Sequence, residues 1–507
     1  MPTVEAAGST PIFATDLSSG GFPTTISNLS DRTGQSGDTM TSPPNPADTT
    51  PRSSSPARTR LWPLAALLIA HYAFVQTTYT VEMAMFTRFM SRLASTLLVL
   101  IVFLVWWLRN RNFRWSDRLL AMAMLAAGIA VADVAGDPTI NLFGLLLVAV
   151  PLALALGIAL LYVVRGRPMW IHRLGFAAIM IAVFGLALLV RWDGLDGRQQ
   201  GHYSWRWTPT GEQKFMAERS DSTSTAMPAP AREVALQPGD WAGFRGGEKD
   251  GAALSGPLGD WKAAAPAVVW KHRVGPSWSS ISIVDGMAIT QEQRGDEECV
   301  VAYDATTGQE LWVHADKVRF DEPLSGAGPR ATPAFCDGRI YTSGGKGRLN
   351  CLDASNGAVV WTKDLIAGSK GKVPNFGSST SPLVVDHLII AFAGGENDQG
   401  LFAFDSATGK EVWRTTAGTE TFSSPQLATL QGVRQVLMHD NSGLFSVSID
   451  DGKRLWLHPT ESSTAVPMLQ PHVLPDGDII TGWSDGIARF AIARSGDSWT
   501  VSEKWKY

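Results

Sequence analysis

Few residues in this sequence of 507 residues have the types and spacing that chemistry requires. The best Ca²⁺-like cluster is Glu396-Asn397-Asp398, because carboxylate and amide oxygens are ligands that Ca²⁺ prefers. The same run also suits a solvated hairpin turn, because Asn and Asp favour turns. The 3 cysteines are widely spaced, which excludes a Cys-x-x-Cys zinc site and a Cys-x-x-Cys-His haem site. The sequence assigns no catalytic residue and no firm metal site.

A second pattern is a motif that recurs four times in the C-terminal half. Its form is Ala-x-Asp-x-x-Thr-Gly-x-x-x-Trp, and every copy has a Gly four residues before a Trp. The copies are about 43 to 52 residues apart, which indicates a repeat architecture. The fourth copy has Ser448 where Asp is expected. The residues that we assign to structural docking are Asp304, Gly308, Trp312, Asp353, Gly357, Trp361, Asp405, Gly409, Trp413, Gly452 and Trp456.

Each copy of the motif lies within a run of four short strands. In the second unit, turns at Asp337-Gly338 and Asn356-Gly357 separate short apolar runs, which is a hairpin signal. Four antiparallel strands in a unit of this length predict a propeller blade. The Gly permits a positive φ in the turn, and the Trp is free to cover a neighbouring blade. We predict five blades, at residues 277–316, 330–365, 378–417, 422–459 and 465–507.

These residues resemble the tryptophan-docking motif of the PQQ-like β-propellers. That family includes quinoprotein dehydrogenases and the non-enzymatic BamB-like assembly factors. The run Gly239-Asp240-Trp241-Ala242-Gly243-Phe244-Arg245-Gly246-Gly247 is similar to a motif of bacterial membrane-anchored members. Related propellers close with seven or eight blades, and residues 268–271 resemble a lone fourth strand before the first blade. The resemblance therefore implies an incomplete ring, with an irregular five-blade ring as the alternative.

The resemblance also implies two candidate functions. The first is a binding or assembly scaffold that contacts envelope proteins through the propeller face. The second is a membrane-bound, PQQ-dependent alcohol or sugar dehydrogenase that passes electrons to ubiquinone. That cofactor needs cations for its carboxylates, a stacking aromatic ring and a calcium ion. The cofactor-binding candidates in this sequence are Arg330, Lys346, Glu396, Asn397 and Asp398.

The character of the chain changes between Leu61 and Trp192. Five apolar stretches there approach the roughly 20 residues that a helix needs to cross a bilayer. The predicted spans are residues 61–81, 89–108, 119–136, 140–164 and 173–191. His71, Glu82 and Asp133 are ionisable residues in or near these spans, where such groups can mark a proton or quinone path. The predicted fold is therefore mixed: five transmembrane helices followed by an all-β propeller.

Arginines between the spans predict the orientation. They are concentrated before the first span, between the second and third spans, and between the fourth and fifth spans. By the positive-inside rule, the N-terminus is cytoplasmic and an odd number of spans exports the propeller. We therefore predict a multi-pass protein of the cytoplasmic membrane with a periplasmic propeller domain.

Composition defines the remaining segments. Residues 1–60 are rich in Ser, Thr and Pro and predict a disordered cytoplasmic tail. Residues 193–238 predict a juxtamembrane segment and linker, and residues 239–507 the propeller domain. The formal net charge of −4 gives no basic field for nucleic acid. The expected partners are the lipid bilayer and envelope proteins.

Overall fold

A computed structural model describes residues 61–507 except 82, 84, 196–199, 222–232, 248, 253–259, 264, 323–324, 460–465 and 484–485. The predicted tail at residues 1–60 and Glu82 lie outside the described residues. The described residues belong to one compact unit by their internal contacts. The unit contains a helical region followed by five four-stranded sheets. The mixed fold class predicted from the sequence is confirmed.

All five stretches predicted as spans form helices. Their bounds are α1 Trp62–Thr80, α2 Met85–Arg109, α3 Trp115–Ala135, α4 Leu142–Val163 and α5 Met169–Leu189. Helix α4 includes a π-helical turn at Leu145–Ala149. Helices α2 to α5 are long and apolar enough to cross a membrane. Helix α1 carries His71, Gln76 and several Thr and falls short of that hydropathy, so a span there stays a prediction.

Close packing joins the helices. Gly128 of α3 lies against Phe184 of α5, and a Cβ on Gly128 would lie 2.5 Å from the ring. The Asn141 side chain caps α4 by accepting a 2.9 Å hydrogen bond from the Gly144 amide. In α1, His71 is buried and its Nδ1 lies 2.8 Å from Ser95 Oγ of α2. His71 therefore has a neighbouring hydroxyl that satisfies one ring nitrogen.

A hairpin and a helix occupy much of the segment expected to be a linker. Strands β1 Val190–Leu195 and β2 Gly201–Trp205 pair antiparallel directly after α5. Helix α6, Gly211–Asp221, follows. Arg191 holds the hairpin through Asp193 Oδ1 at 2.9 Å and Ser204 Oγ at 2.9 Å. Polar contacts stabilise this segment, so its sequence shows little apolar patterning.

The five sheets are antiparallel, with strands in chain order. The first sheet holds β3 Ser282–Val284, β4 Met287–Arg294, β5 Glu297–Asp304 and β6 Glu310–Asp316. The second holds β7 Ala334–Cys336, β8 Arg339–Ser343, β9 Arg348–Asp353 and β10 Val359–Asp364. The third holds β11 Leu383–Val385, β12 Leu388–Phe392, β13 Leu401–Asp405 and β14 Glu411–Thr415. The fourth sheet holds β15 Gln426–Leu430, β16 Val433–Asp440, β17 Gly443–Ser448 and β18 Arg454–Pro459. The fifth holds β19 His472–Val473, β20 Ile479–Trp483, β21 Gly486–Ser495 and β22 Ser498–Lys506. A short helix, α7 Leu365–Ser369, follows β10. We call these sheets blades A to E.

The first strands of the blades are neighbours around an axis. Strand β3 contacts β7, β7 contacts β11, and β11 contacts β15. Hydroxyl groups link the segments that lead into these strands: the Thr332 amide donates to Ser381 Oγ at 2.9 Å, and the Ser381 amide donates to Ser424 Oγ at 2.9 Å. Ser282 Oγ donates to the Pro333 carbonyl at 2.6 Å. We call this end of the axis, which also carries the turns between second and third strands, the upper face.

Candidate functional site: blade junctions, axis and upper face

Three indoles join consecutive blades in the same way. Trp312 Nε1 of blade A donates to the Ala354 carbonyl of blade B at 3.0 Å. Trp361 of blade B donates to the Ser406 carbonyl of blade C at 2.9 Å, and Trp413 of blade C to the Ile449 carbonyl of blade D at 2.7 Å. All three indoles are buried. Each one therefore packs on the next blade and satisfies its own N–H there.

A glycine lies beneath each of these indoles. Gly357, Gly409 and Gly452 have φ of 72°, 67° and 69°, in the left-handed region where Gly pays no steric penalty. A Cβ on each would lie 2.5, 2.7 and 2.5 Å from the ring of Trp312, Trp361 and Trp413, respectively. The turn therefore needs Gly for its backbone and for the space that the ring fills.

The aspartates of the motif hold the same turns. Asp304 Oδ1 accepts hydrogen bonds from the Thr307 amide at 2.7 Å and the Thr307 hydroxyl at 2.9 Å. Asp405 makes the same pair of contacts with Thr408, at 2.9 and 2.6 Å. Asp353 accepts from the Ser355 amide at 2.8 Å. These carboxylates fix the turns that receive the indoles, which is a structural role.

The two tryptophans at the ends of this series, Trp270 and Trp456, differ from each other. Trp270 donates to the Ala305 carbonyl of blade A at 3.0 Å and lies over Gly308, although the described residues around it form no strand. The segment at residues 268–271 therefore docks as a fourth strand would. Trp456 of blade D donates instead to Gln435 Oε1 of its own blade at 2.9 Å.

The segment Trp241–Gly246 lies along the axis. Trp241 pairs with Ile283 of β3 through two backbone hydrogen bonds of 2.8 and 2.9 Å. The Phe335 amide of β7 donates to the Ala242 carbonyl at 2.8 Å. Arg245 Nη2 lies 3.3 Å from His472 Nδ1 of β19. Since β3 and β7 pair with β4 and β8 on their other edges, this segment occupies the inner edges that face the axis.

Arg330 uses its donors within its own loop. Its guanidinium donates to the carbonyls of Gly328 and Gly326, and to Ser325 Oγ at 2.6 Å. It also stacks 4.5 Å from the centre of the Phe320 ring. Burial lowers the pKa of Arg330, and nearby Glu322 and Glu298 oppose that effect. Arg330 thus stabilises the loop that precedes blade B.

Lys346 is an exposed residue in the turn between β8 and β9, next to a carboxylate that the sequence did not indicate. Glu298 of blade A is buried, and both its oxygens accept from the Gly345 amide of blade B at 3.1 Å. Burial raises the pKa of Glu298 to about 7, against the opposing effects of the Gly345 hydrogen bond, Arg330 and Lys346. The adjacent glycines Gly344 and Gly345 are the sequence feature that could have indicated this close contact, because a Cβ on Gly344 would lie 2.0 Å from Glu298 Oε1.

Glu396, Asn397 and Asp398 are exposed at the tip of the turn between β12 and β13. Asn397 has a φ of 57°, and the Gln399 amide closes the turn onto the Glu396 carbonyl at 3.2 Å. This is the hairpin arrangement that the sequence also allowed. Across the described ranges, no group of three or more His, Cys, Asp or Glu side chains is placed to hold a metal ion.

These placements do not fit a PQQ and calcium site. Arg330 donates to backbone carbonyls of its own loop, Lys346 points to solvent, and the oxygen-rich run 396–398 lies at an exposed turn. The segment Trp241–Gly246 lies on the inner edges of blades A and B, along the axis. We therefore derive no step through a quinone cofactor.

Helix α6 is clamped to blade A by ion pairs. Arg319 donates to Glu212 at 2.8 and 3.1 Å, and Arg219 to Glu310 at 2.6 Å. Glu310 also accepts from Arg294 at 2.8 Å, and Arg294 donates to the fully buried Glu292 at 2.5 Å. A buried pair of this kind is costly to break because one charge would stay uncompensated. The clamp fixes the first blade to the segment that follows α5.

Comparisons with known proteins give partial matches in sequence and in structure. Residues 260–470 match the family described as outer membrane protein assembly factor BamB. BamB of Shigella dysenteriae is 26% identical over 171 residues, which cover 33% of this chain and 41% of that protein. The quinohemoprotein alcohol dehydrogenase ADH-IIG of Pseudomonas putida is 32% identical over 138 residues, 26% of this chain and 18% of that protein. The structure of BamB from Moraxella catarrhalis aligns at 18% identity and a TM-score of 0.33, over 45% of this chain and 61% of that one.

The blades and their docking motif thus define a protein with a PQQ-like β-propeller and candidate membrane helices. Residues 260–470 are similar to BamB and part of the chain is similar to quinohemoprotein alcohol dehydrogenases, so the resemblance to PQQ-like β-propellers predicted from the sequence is confirmed. The chain spans only 41% of the length of the Shigella BamB that it matches.

Proposed function

We propose that this chain is a multi-pass protein of a cytoplasmic membrane that displays a BamB-like propeller on the exported side. There the propeller serves as a binding or assembly scaffold for envelope proteins. The observation that carries the scaffold role is the group of large apolar side chains that the upper face exposes, among them Trp278.

Arginine placement supports the exported side. The loops between α2 and α3 and between α4 and α5, with their flanking turns, lie at the same end of the helices. They contain Arg109, Arg111, Arg114, Arg118, Arg165, Arg167 and Arg173. The connection between α3 and α4, residues 136–141, contains no Lys or Arg. The positive-inside rule then places the end of α5, and the propeller after it, outside the cytoplasm. This holds whether or not α1 crosses the membrane.

Exposed apolar side chains on the upper face support protein binding. Trp278, Ile281, Phe376, Met468 and Leu469 are 68%, 48%, 38%, 56% and 50% exposed. They belong to segments that lead into the first strands of blades A, C and E, so they surround one end of the axis. Exposed groups of large apolar side chains that are rimmed by polar residues are typical of protein-binding surfaces.

Site-specific photo-crosslinking in intact cells tests this proposal. A crosslinker at Trp278 on the upper face should yield discrete adducts with envelope proteins, identified by mass spectrometry. The matched control is a crosslinker at Asn356, which is exposed in the turn between β9 and β10 at the opposite end. Equal adducts from both positions would contradict a binding role for the upper face.

The competing function is a PQQ-dependent dehydrogenase, which the similarity to ADH-IIG favours. The purified full chain is mixed with PQQ and Ca²⁺, and quinone absorbance and dye reduction with alcohols and sugars are recorded. We expect neither stoichiometric binding nor turnover. Stoichiometric PQQ binding or turnover of an alcohol or sugar would overturn the scaffold assignment.

Topology has its own test. Alkaline phosphatase fused after Lys506 should be active, because the enzyme folds only outside the cytoplasm. An inactive fusion that is present at normal levels would reverse the proposed orientation.

A further inference from the structure

A cavity of about 310 Å³ lies among helices α2, α3, α4 and α5. Its walls are almost entirely apolar and include Phe103, Leu125, Leu154 and Phe176. Two more lining residues, Leu104 and Leu120, are 45% and 40% exposed, so the cavity reaches the outer surface of the bundle. Cavities between the helices of a bundle are common ligand sites.

One end of the cavity is polar. Asp117, His172 and Arg173 line it, and Asp117 is only 7% exposed. Asp117 Oδ1 accepts two hydrogen bonds from Arg173, at 2.9 and 2.6 Å. Asp117 Oδ2 is buried and has no hydrogen-bond partner among the described residues. A buried carboxylate oxygen without a donor is costly, so this atom calls for a donor from a ligand.

We propose that this cavity binds one acyl chain of a phospholipid whose headgroup carries a primary ammonium, as ethanolamine does. The ammonium donates to Asp117 Oδ2, and the phosphate lies beside the half-exposed Arg173. A choline headgroup has no N–H donor, and a glycerol headgroup brings net negative charge to a carboxylate. This inference rests on the proposed placement of the helices in a membrane.

The depth of the site agrees with a lipid of one leaflet. Asp117 lies in the first turn of α3 and Arg173 near the start of α5, at the arginine-rich end of the bundle. The cavity continues along α3 to Ile129. Twelve residues of helix rise about 18 Å, slightly more than half of a hydrocarbon core of about 30 Å. A headgroup at Asp117 thus places its chain along the apolar wall.

Native mass spectrometry of the delipidated full chain tests the proposal. Phosphatidylethanolamine, phosphatidylcholine and phosphatidylglycerol with identical chains are added in turn. We expect the ethanolamine lipid to bind at least tenfold more tightly than the other two. In Asp117→Asn this preference should disappear while weak binding of all three lipids remains. Equal binding of the three lipids by the wild-type chain would overturn the proposal.

A pair of glycine variants tests the cavity itself. Gly157 lines the cavity, and Gly157→Leu should abolish retention of all lipids. The matched control is Gly185→Leu in α5, where a Cβ meets nothing within 4 Å and retention should be unchanged. Unchanged retention in Gly157→Leu would place the lipid elsewhere.

Carbonate extraction of the same cells separates this inference from the proposed function. A chain released by carbonate would refute membrane insertion and with it the proposed function. A chain that stays in the membrane but shows no headgroup preference would refute only the lipid site.

Discussion

Two consecutive interfaces of the propeller bury an indole to the same extent and bond it differently. Between blades C and D, Trp413 is 7% exposed, lies on Gly452 and donates to the Ile449 carbonyl. Between blades D and E, Trp456 is 5% exposed but donates to Gln435 within its own blade. The burial of the ring is therefore separable from the hydrogen bond across the interface.

The difference lies in the blade that receives the indole. Both blades have a positive-φ glycine in this turn, Gly452 in blade D and Gly496 in blade E. A Cβ on Gly452 would lie 2.5 Å from the Trp413 ring, whereas a Cβ on Gly496 would meet nothing within 4 Å. The interface between blades D and E relies instead on apolar packing, with the rings of His458 and Phe490 4.7 Å apart. Docking therefore needs both halves of the motif, one on each blade.

The largest expected effect is from Trp413→Ala. Removing a buried indole should lower the free energy of unfolding of the propeller by about 3–5 kcal/mol. Urea unfolding of the full chain in detergent, followed by fluorescence, measures this. Trp505→Ala is the control because Trp505 is 40% exposed, and its loss should be much smaller. Equal losses would show that burial of Trp413 does not stabilise the blades.

A glycine pair tests the receiving turn. Gly409→Ala should cost about 2–4 kcal/mol, since the new Cβ strains a left-handed residue and overlaps Trp361. Gly432→Ala has a similar φ of 75° with nothing within 4 Å, and should cost only about 1 kcal/mol. The same unfolding assay reports both. Equal costs for the two variants would show that backbone strain alone accounts for the loss and that the overlap with Trp361 adds nothing.

The interface between blades A and B adds a pH-dependent contact. Burial disfavours the charged carboxylate and raises the pKa of Glu298 to about 7, above its value in an unfolded chain. Its contribution to stability is therefore fully present below the unfolded pKa and is lost as the pH rises through about 7. Between pH 5 and pH 8 the wild type should lose about 2 kcal/mol more than Glu298→Gln. Parallel pH profiles of the two proteins would contradict a protonated Glu298.

The smallest expected effect isolates the hydrogen bond across an interface. Trp413→Phe removes the donor to the Ile449 carbonyl, whereas after Trp456→Phe the acceptor Gln435 still receives the Ser446 hydroxyl at 2.6 Å. Trp413→Phe should therefore cost about 1 kcal/mol more than Trp456→Phe. The reverse order would show that the interface hydrogen bond adds nothing to ring burial.

The sequence predicted the parts of this fold that depend on local patterns. The blades and their indoles follow from hairpin turns and from a motif whose Gly and Trp are four residues apart. Glu298 was missed because its environment comes from Gly344 and Gly345 of another blade. The role of Arg330 was not predictable, since its acceptors are backbone carbonyls set by the conformation of the loop. The hairpin and α6 were missed because polar contacts rather than apolar periodicity stabilise them: Arg191 within the hairpin, and ion pairs between α6 and blade A.

Blades B, C and D each receive the indole of the preceding blade on a glycine turn. A double-mutant cycle between Trp413 and Gly452 measures this directly, because a Cβ on Gly452 would lie 2.5 Å from the Trp413 ring. Gly452→Ala should be costly in the wild type and should cost only about 1 kcal/mol of backbone strain after Trp413→Ala. The predicted coupling is about 1–2 kcal/mol, and costs that add to within about 0.5 kcal/mol would contradict the claim.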